Sequence, residues 1–277
     1  MSPSAAYHIG LTPRDLEGNG GLGRYVFLPG DPSRAARIAA HFDSAERRDN
    51  PRGHTSHFGT LSLPEGVVDV LAIGSGMGPA SVEIVLHELI EAGARRIVRV
   101  GSSASLNPSV GPGSIVVATA AVRDESTSDR WTPREFPAVS HPAAVAAMSS
   151  GARAIGLGER TFAGVVHSKD SLFGRELSRG PRREANDRYM AELTASGVLA
   201  TEMEASILFV MAAVASATKP VSLAGDARMV PVQAAAILAV YGEPGSAETG
   251  LADAGAIAVA VAGVRSWARS DRSSREK

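Results

Sequence analysis

A chain of 277 residues that is 44% apolar and 21% charged has the make-up of a globular protein with a sizeable core. A net charge of -1 gives no bulk attraction to nucleic acid or an anionic membrane, and the absence of cysteine excludes disulfides and thiolate chemistry. No window approaches the roughly 18 uninterrupted apolar residues of a membrane span, and no signal-peptide pattern opens the chain, so a cytoplasmic location is expected.

The first strand-like run, 24–28, meets Gly30-Asp31-Pro32-Ser33-Arg34 and then a helical pattern. Glycine lets backbone approach a ligand, a helix start offers free N–H groups, and Arg34 brings a guanidinium that suits phosphate. The junction reads either as a plain turn with an exposed arginine or as an anion pocket. The second run, 68–73, leads through Gly74-Ser75-Gly76-Met77-Gly78 into a helix over 79–92. That helix has an apolar stripe of Val82, Val85, Leu86, Leu89 and Ile90, with Pro79 in its first turn and Gly93 at its end. The glycine spacing is G-x-G-x-G rather than G-x-G-x-x-G, and the next strand ends without an acid for a ribose. A tight turn beside a small ligand is expected, not a dinucleotide site.

The third run, 96–101, holds Arg99 among apolar residues and ends in Gly101, Ser102 and Ser103. A buried arginine needs a charged partner, either a structural carboxylate or a ligand. Small hydroxyl residues at a strand's C-terminal end stand where open α/β sheets bind ligands. Further strand-like runs follow at 114–119, 163–167 and 220–224, and the polar stretch 174–189 reads as a mobile loop. A helix is expected over 201–217, with Glu202 and Glu204 flanking Met203 at its start. Spaced i, i+2, the two acids should point differently, so that one can bind sugar hydroxyls while the other is structural. A loop at 242–250, a helix at 251–268 and a frayed tail from about 268 complete the chain. The seven histidines (8, 41, 54, 57, 87, 141 and 167) show no zinc-binding spacing, and neither a P-loop nor a G-x-S-x-G elbow is present. Strands alternating with helices, without a linker or repeat, indicate one α/β domain.

In order, "YHIGLTPRDL" (7–16), "LPGDPSR" (28–34), "GSGMGPAS" (74–81), "VRVGSSASL" (98–106), "EFPAV" (135–139), "SKDSLFG" (168–174) and "ATEMEAS" (200–206) resemble the nucleoside phosphorylase family. "EFPAV" and "SKDSLFG" look like its uridine-specific branch more than its purine branch. The resemblance implies a single three-layer α/β/α domain over 1–277, with a mixed, partly barrel-like central sheet. It implies phosphorolysis of uridine or a modified uridine to free base and pentose 1-phosphate, with inorganic phosphate as co-substrate and no metal or organic cofactor. By the same resemblance Gly30, Arg34, Arg99 and Ser102 would bind phosphate. Met203 and Glu204 would hold the ribose, and Ser103, Phe173 and Arg175 would face the base. Arg52 and His8 would reach the site of an adjacent subunit, which makes the expected unit a homodimer or homohexamer. Glu204, Arg99 and Arg175 are the implied catalytic residues.

The chain also departs from the family pattern. Arg175 stands where the uridine branch keeps a glutamine, and Arg179, Arg182 and Arg183 are all candidates for its specificity arginine. Gly53 stands where some relatives hold a cation-binding acid, so no metal site is expected. Asp226 lies near the position of a catalytic aspartate in purine-specific relatives. A purine nucleoside phosphorylase, a hydrolase of the same fold and a non-catalytic nucleoside-binding protein are the alternatives.

Overall fold

The computed structural model describes residues 5–217, 231–242 and 245–275. A one-turn helix α1 (Pro13–Leu16) precedes β1 (Tyr25–Pro29), α2 (Pro32–Ala39), β2 (Ser44–Arg48), β3 (Ser56–Leu63), β4 (Gly66–Ile73) and α3 (Pro79–Glu91). Then come β5 (Arg96–Ser105), β6 (Ile115–Asp124), β7 (Ala138–Val139), α4 (Pro142–Ala154), β8 (Thr161–Lys169), α5 (Arg183–Ala195), β9 (Ala200–Glu202), α6 (Ala205–Ala217), β10 (Gln233–Val240) and α7 (Ala247–Arg275).

The strands form one mixed sheet in the order β10-β6-β8-β9-β5-β1-β4-β3-β2. A further parallel pairing of β10 with β5 closes the first five into a ring, and β1, β4, β3 and β2 extend it as an open flap. β1 and β10 are buried along their whole length, as expected of strands covered on both faces. Side chains alternate across β1: Val26 and Leu28 join one core with α3 and α6, and Tyr25 and Phe27 join the other with α2, α4 and α7. The sheet is thus the middle of three layers. α6 is apolar on every side and buried from Ala205 to Met211, because it is packed all round. α4 and α7 cross so closely that a Cβ on Gly151 would run into the Gly263 backbone.

Several expectations change. β2 is exposed and polar (SAERR), so it carries no hydrophobic signal; it forms by pairing with β3. The strand expected at 220–224 lies outside the described residues, whereas β10 was not anticipated from its alanine-rich QAAAILAV. The helix expected from 201 starts at Ala205, because residues 200–202 pair with β5 and β8 as β9. The stretch 174–189 is not a bare loop: a π-helical turn (Leu172–Glu176) and the start of α5 lie in it.

The frayed tail is a correction too. α7 runs to Arg275, and its last turns are pinned by Tyr25 and Arg96 on Asp271 and by Arg272 on the carbonyls of Glu65 and Val67. α7 has the length and hydropathy to cross a bilayer, but 50% of that window is buried inside the protein, as in a core helix.

Candidate active site

The site forms where β5 loses a neighbour. β1 pairs with it as far as Val100, and β9 joins only at Ala104. Gly101, Ser102 and Ser103 are therefore paired on one side alone, to Leu238, Ala239 and Val240 of β10. Beside this gap the turns after β1 and β4 lock together. Ser75 donates to the Pro29 carbonyl at 2.8 Å and Gly76 to the Gly30 carbonyl at 3.0 Å. A Cβ on Gly30 would be crowded 3.1 Å from the Gly76 oxygen, and Gly76 and Gly78 take φ of 77° and 84°, which strain any side chain. The Gly78 N–H then donates to Glu204 Oε1 at 2.7 Å.

Arg99 is buried at the centre. Its Nη2 donates to Glu204 Oε2, its Nε stands 3.7 Å from Glu202 Oε2, and Nε and Nη1 have no hydrogen-bond partner. Both acids therefore converge on Arg99, against the expectation that they point apart. The periodicity argument fails because Met203 sits at the turn between β9 and α6, where neither strand nor helix spacing applies. Their roles still divide. Glu202 accepts from the N–H groups of Glu204 (2.8 Å) and Ala205 (3.0 Å) and from Ser168 Oγ, and so caps α6. Burial, and then the charge of Glu204, raise its pKa against the opposing pull of Arg99. Glu204 has lone pairs left on both oxygens, and Met203 is half-buried beside it.

Arg34 is buried and already engaged. Its Nε and Nη2 lie 2.9 and 2.7 Å from Asp253 Oδ1, Nη2 donates to Ser102 Oγ and Tyr241 Oη at 2.6 Å each, and Nη1 donates to the Val100 carbonyl at 3.1 Å. It is not the open fork that the motif suggested. Asp253 and Tyr241 were not anticipated; the only signal was an acid among the alanines of α7.

Of the residues expected to face the base, Ser103 Oγ donates to the Ala239 carbonyl and Phe173 is exposed, with the Arg179 guanidinium 5.9 Å from its ring. Arg183 makes only an exposed pair with Asp187. Arg175 grips both oxygens of Asp124 at 2.6 and 3.0 Å, donates to Asn186 Oδ1 at 2.8 Å and stacks on Tyr189. Two of its five N–H groups remain without a partner among the described residues. Asp124 also lies 3.0 Å from His167 Nε2, and His167 Nδ1 lies 2.9 Å from Thr201 Oγ1, which accepts from Lys169. Desolvation depresses the His167 pKa, so the ring is neutral: Nε2–H faces the carboxylate and Nδ1 accepts from Thr201. At Asp124, burial works against ionisation but is outweighed by the hydrogen bonds from His167 and Arg175, which hold it below the ordinary carboxylate range. Lys169, fully buried, pairs with Glu176 at 2.6 Å. This network under the π-helical turn was not anticipated: Asp124, His167 and Lys169 meet only across strand pairs.

His8 and Arg52 share one surface patch and contact neither Arg34 nor Arg99. His8 Nδ1 lies 2.6 Å from Glu88 Oε1, Asn50 donates to the His8 carbonyl, and Arg52 stacks 4.8 Å over Tyr7. Asp226 and its suggested purine role lie outside the described residues. Among the described residues, no group of three or more His, Asp or Glu could hold a metal ion.

Comparison with known proteins fits this arrangement. The sequence profile of the Phosphorylase superfamily matches residues 24–221. A uridine phosphorylase of Treponema pallidum is 37% identical over 77% of this chain and 78% of its own, and that of Salmonella typhimurium is 33% identical over 77% and 82%. A guanosine phosphorylase of Halorubrum lacusprofundi is 28% identical over 72% and 76%.

Proposed function

The chain belongs to the phosphorylase superfamily, and from that premise we propose that it is a pentosyltransferase that phosphorolyses a pyrimidine nucleoside, uridine or a modified uridine. Nucleoside and inorganic phosphate give free base and pentose 1-phosphate. The observation that carries this reading is Arg99, a buried guanidinium with two unmet donors beside Gly30 and a ribose-competent Glu204.

Breaking the glycosidic bond puts positive charge on the sugar and negative charge on the departing base. A phosphate held under the sugar stabilises the first and then bonds to the anomeric carbon as the base takes the bonding pair. Arg99 and the donors of Ser102 and Gly30 would fix that phosphate. Fixed donors in a buried site need no reorganisation as charge develops, which is where such sites gain rate. Glu204, held by Gly78 and Arg99, would accept from the ribose hydroxyls. Phe173 would wall the base, and the free N–H groups of Arg175 would donate to a base oxygen as its charge grows. The chemistry is complete with phosphate as co-substrate and calls on no metal or organic cofactor.

His8 and Arg52 support a homo-oligomer, dimer or hexamer; a cytoplasmic location goes with the same reading. They sit together on an exposed patch, away from their own chain's Arg34 and Arg99, where they could complete a neighbour's site. A purine substrate is the second reading, favoured by the guanosine phosphorylase relative. The test is base release from uridine, deoxyuridine, 5′-modified uridines, thymidine, inosine and adenosine, with and without phosphate. Phosphate-dependent uracil release is expected. Phosphate-dependent purine release would replace the pyrimidine assignment, and release without phosphate would indicate a hydrolase.

A further inference from the structure

We propose that Asp253 of α7 is the positioning residue of the phosphate site: it fixes Arg34 so that Ser102 meets the anion as a donor. This rests on the phosphorolytic reading above. Of the five N–H groups of Arg34, the Nε proton goes to Asp253, both Nη2 protons go to Ser102 and Tyr241, and one Nη1 proton goes to the Val100 carbonyl. One Nη1 proton is left, so Arg34 offers a ligand its charge and a single donor, not a bidentate fork. The consequence falls on Ser102. Its Oγ accepts from Arg34 at 2.6 Å, and among the described residues its hydroxyl proton has no acceptor. That proton is free to point into the gap beside β5, where Gly101 to Ser103 are paired on one side alone.

Asp253 sets this state. It is buried, takes Arg34 on Oδ1 and Arg37 on Oδ2, and also accepts from Tyr241 Oη at 3.0 Å. Tyr241 directly follows β10, and its N–H donates to the Ser103 carbonyl, so the same residue ties Arg34 and Asp253 to the strand that lines the gap. Without the Asp253 carboxylate, Arg34 is released to turn toward the anion, and Ser102 loses the donor that orients it.

The test uses the full-length protein and its Asp253→Asn variant, with phosphate and nucleoside varied separately. The expected result is a rise of about tenfold or more in the KM for phosphate, with less than about a twofold change in the KM for the nucleoside; a tenfold change is ~1.4 kcal/mol. Ser102→Ala and the double variant should share one defect, so the double variant is no worse than the poorer single. An unchanged phosphate KM, an equal rise in both KM values, or additive losses would overturn the proposal. If Asp253→Asn does not fold, Tyr241→Phe removes one tie and should give a smaller rise confined to phosphate; a rise shared with the nucleoside would overturn it. Thermal unfolding in increasing phosphate separates this from the function itself. Absence of phosphate-dependent base release by the parent protein defeats the functional reading. A phosphate-induced rise in the parent's Tm, weakened in Asp253→Asn, supports the positioning role, and equal rises in both reject it.

Discussion

Two buried arginines stand three residues apart on β5 and meet opposite treatment. Arg96 has a partner on every nitrogen: Nε and Nη2 grip both oxygens of Asp271 at 2.8 and 3.0 Å, and Nη1 donates to the carbonyls of Arg95 and Pro231. Asp271 also accepts from Tyr25 Oη at 2.6 Å, and Trp267 packs beside the guanidinium. Arg99 has one satisfied nitrogen and two that find no partner. An odd offset in a strand puts the two on opposite faces, and Arg96 enters β5 where α7 ends, whereas Arg99 lies next to the gap left by β1. A buried charge must be compensated. At Arg96 the protein does so completely, which makes a clamp. At Arg99 two acids meet the charge but two nitrogens keep unmet donors, which on the proposed reading are left for a bound anion.

Four predictions bear on this contrast. The largest is that Arg99→Ala lowers kcat/KM by about a thousandfold, ~4 kcal/mol, the scale of a preorganised charge-stabilising donor. Steady-state phosphorolysis measures it, and near-normal turnover would remove Arg99 from the site. Next, Asp271→Asn should cost about 3 kcal/mol of stability by urea unfolding, because it strips a buried arginine of its counter-charge. The same variant should keep its kcat/KM at temperatures where it is folded, and parallel losses would erase the distinction between clamp and site. Third, phosphate at a hundredfold its Kd should stabilise the parent and Asp271→Asn by about 2.7 kcal/mol and leave Arg99→Ala unaffected.

The smallest effect concerns pH. Asp124, Glu88 and His167 all have pKa values below their ordinary ones. At Glu88, burial is again outweighed, here by hydrogen bonds from Ile9 and His8. The unfolded chain therefore binds protons more readily than the folded one. Stability is full above the ordinary histidine value of 6.5 and falls as pH drops below it, first through His167 and then through the two carboxylates. Each proton contributes no more than about 1.4 kcal/mol per pH unit. Glu202 opposes the trend, because its raised pKa makes acid favour the fold. Melting between pH 7 and 2 should show a net fall, and in Asp124→Asn the limb below the ordinary aspartate value of 3.8 should flatten, whereas an unchanged limb there would mean that the Asp124–His167 network is not coupled to folding.

How much of this was legible in the sequence depends on distance along the chain. The turn after β1, the glycines before α3 and the helix stripe itself are local. Gly30, the 74–78 turn, Pro79 and Val82 to Leu89 follow from steric and periodic rules that act within a few residues. Arg99 was legible as a problem, a charge inside an apolar strand, because burial is encoded by its neighbours. Its solution was not, since Glu202 and Glu204 lie more than a hundred residues away and converge only because β9 turns into α6 at Met203. The same holds for Asp253 and for the Asp124–His167–Thr201 line, which exist only when strands pair. The tail was misread for the converse reason: its polar residues look solvated, but Asp271 and Arg272 find partners on β1, β5 and the turn before β4.

The sequence alone determined the alternation of strands and helices, the steric needs of the glycine turns and the presence of a charge that burial would have to satisfy, because these are set by residue type and short spacing. Tertiary structure alone decided which arginine has a partner on every nitrogen and which does not, which acid caps a helix and which joins Gly78 to Arg99, and that Arg34 is held by Asp253, Ser102 and Tyr241. Those outcomes depend on which distant carboxylate reaches a guanidinium first, and chain topology, not local pattern, controls that.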